Sequence, residues 1–121
     1  MKKYLRGRYD HLIVHATATP PSMTEVDDLW IDRAHRRRGW SGCGYHAVIT
    51  REGTLLHNTD YTRPYESVPA HVGGCGTGWN RRSIGITMAG GVEEDGKTPQ
   101  NNFTDNQFDT LKRYIVWAAD P

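Results

Sequence analysis

The sequence predicts a three-layer domain of the α/β or α+β class: a small sheet with one helix on each face. Three observations point there. Short apolar runs rich in β-branched residues recur at Leu12-Ile13-Val14, Val48-Ile49 and Ile84-Gly85-Ile86. Two other segments carry apolar residues at helical spacing, each opened by a capping pattern. Strand and helix patterns follow one another in mixed order within 121 residues, a length that suits one domain.

The first strand is Leu12-Ile13-Val14-His15, ended by small residues and by Pro20-Pro21. A helix follows. Ser22-x-x-Glu25 has the form of a capping box, and Val26, Leu29, Trp30 and Ala34 fall on one face. Asp27 and Asp28 suit its positive end, Arg36, Arg37 and Arg38 its negative end, and Gly39 is the stop. That basic run reads as a solvated, dipole-matched helix end.

Residues 42–50 form the next strand candidate, on the strength of Tyr45, Val48, Ile49 and Thr50. Arg51-Glu52-Gly53-Thr54 turns the chain into Leu55-Leu56-His57, which makes a hairpin. Residues 58–68 have no period and read as loop, as does the glycine-rich stretch from His71 to Trp79. Ser83 to Ala89 alternates as a strand should and ends at Gly90-Gly91. After a polar connection, Thr104-x-x-Gln107 is a second capping box, and Phe108, Leu111 and Ile115, with Tyr114 and Trp117, supply the apolar stripe of the last helix.

Composition narrows the function. Residues of the AVILMFWYC set make up 36% and charged residues 24%, polar for a compact domain, but four Trp, six Tyr and two Phe can build a core. Lys+Arg 15 against Asp+Glu 14 leaves +1, which gives no field for nucleic acid or acidic membranes, and no basic stripe with interleaved aromatics occurs. No stretch approaches a membrane span. The basic start has no apolar run behind it, so the expectation is a chain without a signal peptide, made in the cytosol. Two cysteines, Cys43 and Cys75, cannot form a disulfide framework and are expected to be free thiols.

Six histidines, at positions 11, 15, 35, 46, 57 and 71, are many for such a chain. Histidine titrates near neutrality and ligates metals. His15, at the end of a buried strand, is the best metal candidate, but a catalytic zinc needs three protein ligands. His71-x-x-x-Cys75 has a ligand-like spacing inside a glycine-rich loop, a weak signal. Tyr45 either packs or aims its hydroxyl into a cleft; composition alone favours packing. A nucleophile elbow, a P-loop and a dinucleotide fingerprint are all missing from the sequence.

Taken in order, the motifs say more. Ile13-Val14-His15-x-Thr17-Ala18-Thr19, Gly39-Trp40, Gly44-Tyr45-His46-x-Val48-Ile49-x-Arg51-x-Gly53-Thr54, Ala70-His71-x-Gly73, Asn80-x-x-Ser83-Ile84-Gly85-Ile86 and Gly90-Gly91 follow one another along the chain. This series resembles the type 2 N-acetylmuramoyl-L-alanine amidases, which share their fold with peptidoglycan recognition proteins, and most of all the small phage endolysin amidases. The polar stretch Gly96-Lys97 to Asn102-Phe103-Thr104 is similar too. The resemblance covers about residues 11 to 118, each piece short but all in the right order.

The resemblance implies an α/β fold with a central mixed β-sheet flanked by helices on both faces. It also implies zinc-dependent cleavage of the amide between the lactyl group of N-acetylmuramic acid and the L-alanine of the stem peptide. His15 matches the first zinc ligand and Tyr45 the tyrosine that assists catalysis. His71 and Asn80 match positions that contact substrate, and Thr17 is placed to line the same groove. The chemistry is coherent: zinc lowers the pKa of its water to about 7, and a hydroxyl donor to the oxyanion is worth roughly 3 kcal/mol.

Two departures stand out. Gly74-Cys75-Gly76-Thr77 reads as an insertion between His71 and Asn80. The family's second and third zinc ligands lie after the last helix matched here, whereas this sequence ends at Pro121. The expectation is therefore a single amidase-like domain over residues 1–121 that lacks its C-terminal part, with an incomplete zinc site. Other accounts are a naturally short relative that binds without turnover, or ligands recruited from His46, from His71 with Cys75, or from a second chain. The expected partner is peptidoglycan, with no nucleic acid and no membrane. A protein partner, or self-association through the truncated end, would use surface left uncovered there. A phage lysin would wait in the host cytoplasm and act on the cell wall after release. The alternative function is a catalytically inactive peptidoglycan-binding or protein-binding module, such as an RNA polymerase regulator.

Overall fold

A computed structural model of the chain describes residues 9–66 and 82–119. The elements are β1 (His11–Ala16), α1 (Asp28–Arg37), β2 (Ala47–Ile49), β3 (Leu55–His57), β4 (Ser83–Met88) and α2 (Asp105–Ala119). They form a four-stranded sheet in the order β1-β4-β2-β3. β4 runs parallel to both β1 and β2, while β2 and β3 are antiparallel, so the sheet is mixed. β4 is buried along its whole length, as a central strand between two parallel neighbours should be.

The pleat divides the apolar residues between two faces. Ala47, Ile49, Ile84, Ile86 and Met88 join Tyr9, Tyr65 and Tyr114 in one core, with Phe108, Leu111 and Trp117 of α2 packed against it. Val48 points the other way, to Val26, Ile31, Cys43 and Ala89, with Trp30, Tyr45 and Leu56 alongside. The helices therefore lie on opposite faces, as expected for the α/β class.

The hairpin turn is made as read: the Thr50 amide donates to the Thr54 carbonyl at 3.0 Å and the Gly53 amide to the Thr50 carbonyl at 2.9 Å. The second capping box also forms. The Gln107 amide donates to Thr104 Oγ1 at 3.1 Å, and Gln107 Oε1 accepts from the Thr104 amide at 2.9 Å.

Four local readings are corrected. α1 does not start at Ser22: its cap is Asp27, which accepts the Trp30 amide at 2.9 Å, while the Ser22 hydroxyl and amide are drawn to the Glu94 carboxylate. A side chain three residues before an orphan amide is the better placed cap. The buried residues of α1 are Asp28, Ile31, Asp32 and His35; of the expected stripe, Val26 is buried just ahead of the helix and Trp30 packs beside it, while Leu29 and Ala34 are only half-buried. The strand expected over residues 42–50 shrinks to Ala47–Ile49, because the amides of Cys43 and Gly44 are taken by side chains. Ile115 of α2 is 41% exposed rather than part of the packed stripe; the inward face is carried by Gln107, Thr110 and Tyr114.

Candidate active site

The order β1-β4-β2 brings together residues far apart in sequence. His15 of β1 pairs with Thr87 of β4, and Thr87 pairs with Val48 of β2. The three side chains share one face of the sheet, the face that carries α1. Tyr45 enters on that face two residues before β2 and reaches across β4. Its ring lies 5.1 Å from the His15 ring, centroid to centroid. The two residues singled out in the sequence as metal ligand and catalytic tyrosine are thus neighbours.

Their environment sets their protonation. Burial holds the His15 imidazole below its ordinary range. Burial also raises the Tyr45 hydroxyl; Cys43 adds to this, and Thr87 and Arg38 oppose it. At neutral pH the pair is a neutral imidazole beside a protonated phenol, a base and a hydrogen-bond donor side by side. The Thr87 hydroxyl is fully buried; it lies near enough to Tyr45 to ease it, but falls outside hydrogen-bond geometry with any described residue.

The segment leading to Tyr45 is held by α1. Asp32 Oδ1 accepts the Cys43 amide at 2.8 Å and His35 Nδ1 accepts the Gly44 amide at 3.0 Å. The His35 ring lies 4.4 Å from that of Trp40 and 5.7 Å from that of Tyr45. Tyr45's own carbonyl accepts the Arg63 amide at 2.9 Å. Asp32, His35 and Thr87 were missed in sequence as parts of this neighbourhood. The available signal was two polar residues, three apart, on the inward side of a short helix.

Other expected residues are placed as follows. The Thr17 hydroxyl accepts the Gly90 amide at 3.0 Å and bonds Thr19 Oγ1 at 2.7 Å, so it fastens the exit of β1 to the exit of β4. His71 and Asn80 lie outside the described residues, as do Cys75 and Trp79. Cys43 is a free, buried thiol whose pKa burial pushes up to about 11, far from a reactive thiolate. His46, offered as a substitute ligand, is ruled out for that part by its position. It is fully buried, its Nδ1 accepts the Gly85 amide at 3.1 Å, and its Nε2 lies 3.3 Å from the Tyr9 hydroxyl.

A zinc site of the expected kind needs three protein ligands. No group of three His, Cys, Asp or Glu residues gathers among the described residues. His15 is suited to be one ligand; the described residues do not by themselves fit the metal.

Comparison with known proteins bears on this geometry. The family described as N-acetylmuramoyl-L-alanine amidase matches residues 5–120. The endolysin of Escherichia phage T7 is 35% identical over 111 residues, covering 92% of this chain and 67% of the relative. That of Klebsiella phage KP32 is 32% identical with the same coverage. Among solved structures, the endolysin N-acetylmuramoyl-L-alanine amidase LysCS from Clostridium intestinale superposes with a TM-score of 0.65 at 29% identity, covering 89% of this chain and 61% of that one. Drosophila PGRP-LB shares the fold, with a TM-score of 0.64 at 20% identity, covering 92% of this chain and 63% of that one. The chain thus spans about two thirds of the length of the curated relatives.

Proposed function

Since the chain belongs to the N-acetylmuramoyl-L-alanine amidase family, we propose that it acts on peptidoglycan, hydrolysing the amide between the lactyl group of N-acetylmuramic acid and L-alanine, as a phage endolysin does. The observation that carries this reading is the 5.1 Å approach of the His15 and Tyr45 rings. In this proposal the Tyr45 hydroxyl, kept protonated by burial, donates a hydrogen bond to the scissile carbonyl oxygen as it gains negative charge. A donor already aimed at that oxygen costs no reorganisation when the charge develops. His15, neutral beside it, offers a ring nitrogen lone pair.

Zinc dependence belongs to the proposal through the family and through His15. Further ligands would have to come from outside the described residues. The cell wall, reached after release from the host cytoplasm, is the proposed place of action, and residues 1–121 are read as one amidase-like domain. His71 and Asn80 are proposed as substrate contacts on the resemblance alone, and Thr17 as a residue that shapes the groove wall.

The test is dye release from labelled peptidoglycan by the chain, with added zinc and with EDTA, alongside His15→Ala. Release that needs zinc and disappears in the variant supports the proposal. Release unaffected by both treatments overturns it. Pelleting with cell walls without release would assign the chain to the binding-module alternative.

A further inference from the structure

We propose that Asp32 and His35 are positioning residues for Tyr45: one face of α1 presents two buried acceptors to the consecutive amides of Cys43 and Gly44 and so directs the Tyr45 side chain to His15. This rests on the reading of Tyr45 as the oxyanion donor. Gly42, Cys43 and Gly44 are buried, and they lie outside the sheet ladder. Buried amides require acceptors. Residues three apart on a helix lie about 5–6 Å from each other, a spacing that reaches two successive peptide groups.

Both acceptors are specialised for the task. Arg36 Nε donates to Asp32 Oδ2 at 2.8 Å, which leaves Oδ1 for the Cys43 amide. The Gly44 amide points at His35 Nδ1, so that nitrogen bears a lone pair and the ring proton sits on Nε2. The His35 ring then lies against the rings of both Trp40 and Tyr45. The close approach needs glycine at position 42: its φ is +154°, and a Cβ there would come within 2.7 Å of Asp32 Oδ1.

A helix whose inward face served only to fill the core would carry apolar residues there. Asp28, Asp32 and His35 are instead buried at 8%, 7% and 6% exposure. Buried polar groups are costly unless bonded, and each of these meets a partner in the segments flanking Tyr45. Asp28 takes the Thr59 hydroxyl at 2.5 Å, in the loop whose Arg63 amide bonds the Tyr45 carbonyl. The same helix face thus holds the chain both before and after the tyrosine.

The test compares His35→Leu, which removes the acceptor, with His35→Asn, whose side-chain oxygen restores one near the Nδ1 position. Two readouts are taken on the full chain: turnover of a soluble muramoyl-peptide, and the nuclear Overhauser contact between the Tyr45 and His15 rings. We expect His35→Leu to lower kcat by about tenfold to a hundredfold, as a displacement near 1 Å can, with KM little changed. His35→Asn should recover most of the loss. The ring contact should weaken in His35→Leu and persist in His35→Asn. Equal losses in the two variants, a change confined to KM, or a ring contact unchanged in both would overturn the proposal. If the unaltered chain has no turnover, the function reading fails and the ring contact alone decides whether the clamp positions Tyr45.

Discussion

His46 and Gly85 exchange two hydrogen bonds: the His46 amide donates to the Gly85 carbonyl at 2.9 Å, and the Gly85 amide donates to His46 Nδ1 at 3.1 Å. The imidazole thereby stands in for a backbone carbonyl at the edge of the β2–β4 ladder. Its ring is stacked on Tyr65, with centroids 5.3 Å apart. A leucine at this position fills similar space but strands the Gly85 amide. We expect His46→Leu to cost about 1–3 kcal/mol, the range for a buried donor left unsatisfied. A urea midpoint unchanged from the parent would refute this.

Tyr45→Phe separates chemistry from packing. The ring keeps its contacts with His15 and His35, and no hydrogen bond of good geometry is lost among the described residues. Stability should therefore stay within about 0.5 kcal/mol. Turnover of peptidoglycan should fall roughly a hundredfold or more, as when an oxyanion donor is removed. Parallel urea unfolding and dye-release assays check both halves.

Gln107 is fully buried and links three segments. Its Nε2 donates to the Ala89 carbonyl at 2.8 Å, and its Oε1 accepts from the Thr104 amide at 2.9 Å and from Arg51 Nη1 at 3.3 Å. Gln107→Ala removes the acceptor of the half-buried Thr104 amide and one of the two donors to the Ala89 carbonyl, which keeps Arg51 Nη1 at 3.4 Å. The expected loss is about 1–3 kcal/mol, read as a lowered thermal midpoint; Gln107→Glu should not restore it fully, since a carboxylate cannot donate to Ala89.

Acidification should destabilise the fold through His35 and His57. Burial is the main reason both lie below the ordinary value of 6.5; the Arg38 charge adds to it for His35, against Asp32 and the backbone at Gly42. His57 faces the Tyr65 hydroxyl at 2.9 Å and the rings of Tyr114 and Trp117. Between the folded and unfolded values the unfolded chain binds more protons. Stability therefore falls as pH drops through 6.5 and levels off once the folded form is also protonated. Urea midpoints at about pH 7.5 and about pH 5 should differ in that direction, and His57→Gln should reduce the difference.

The two capping patterns show where sequence reading reaches and where it stops. Thr104 and Gln107 bond each other as their spacing demands, because both partners lie within one turn of backbone. Ser22 and Glu25 have the same spacing, but Ser22 is claimed by Glu94 from across the fold and Asp27 takes the cap. A local rule holds only when no distant group competes for the same side chain. The inward face of α1 was legible only in part, through Val26 and Trp30, for a related reason. Apolar residues were counted as the buried stripe, while the burial of Asp32 and His35 depends on amides of a loop that follows the helix.

By itself the sequence determined the α/β class, the hairpin, the last helix and, through the order of its motifs, the family; the same resemblance singled out His15 and Tyr45. Those properties are written in short-range periodicity and in residue types that chemistry cannot exchange. The tertiary structure alone decided that the two rings lie 5.1 Å apart across β4, that Cys43 is an inert buried thiol, and that His46 belongs to the sheet rather than to a metal site. Each of these depends on which strand lies between which others, and strand order is set by the summed burial of two opposite faces, a quantity no local window contains.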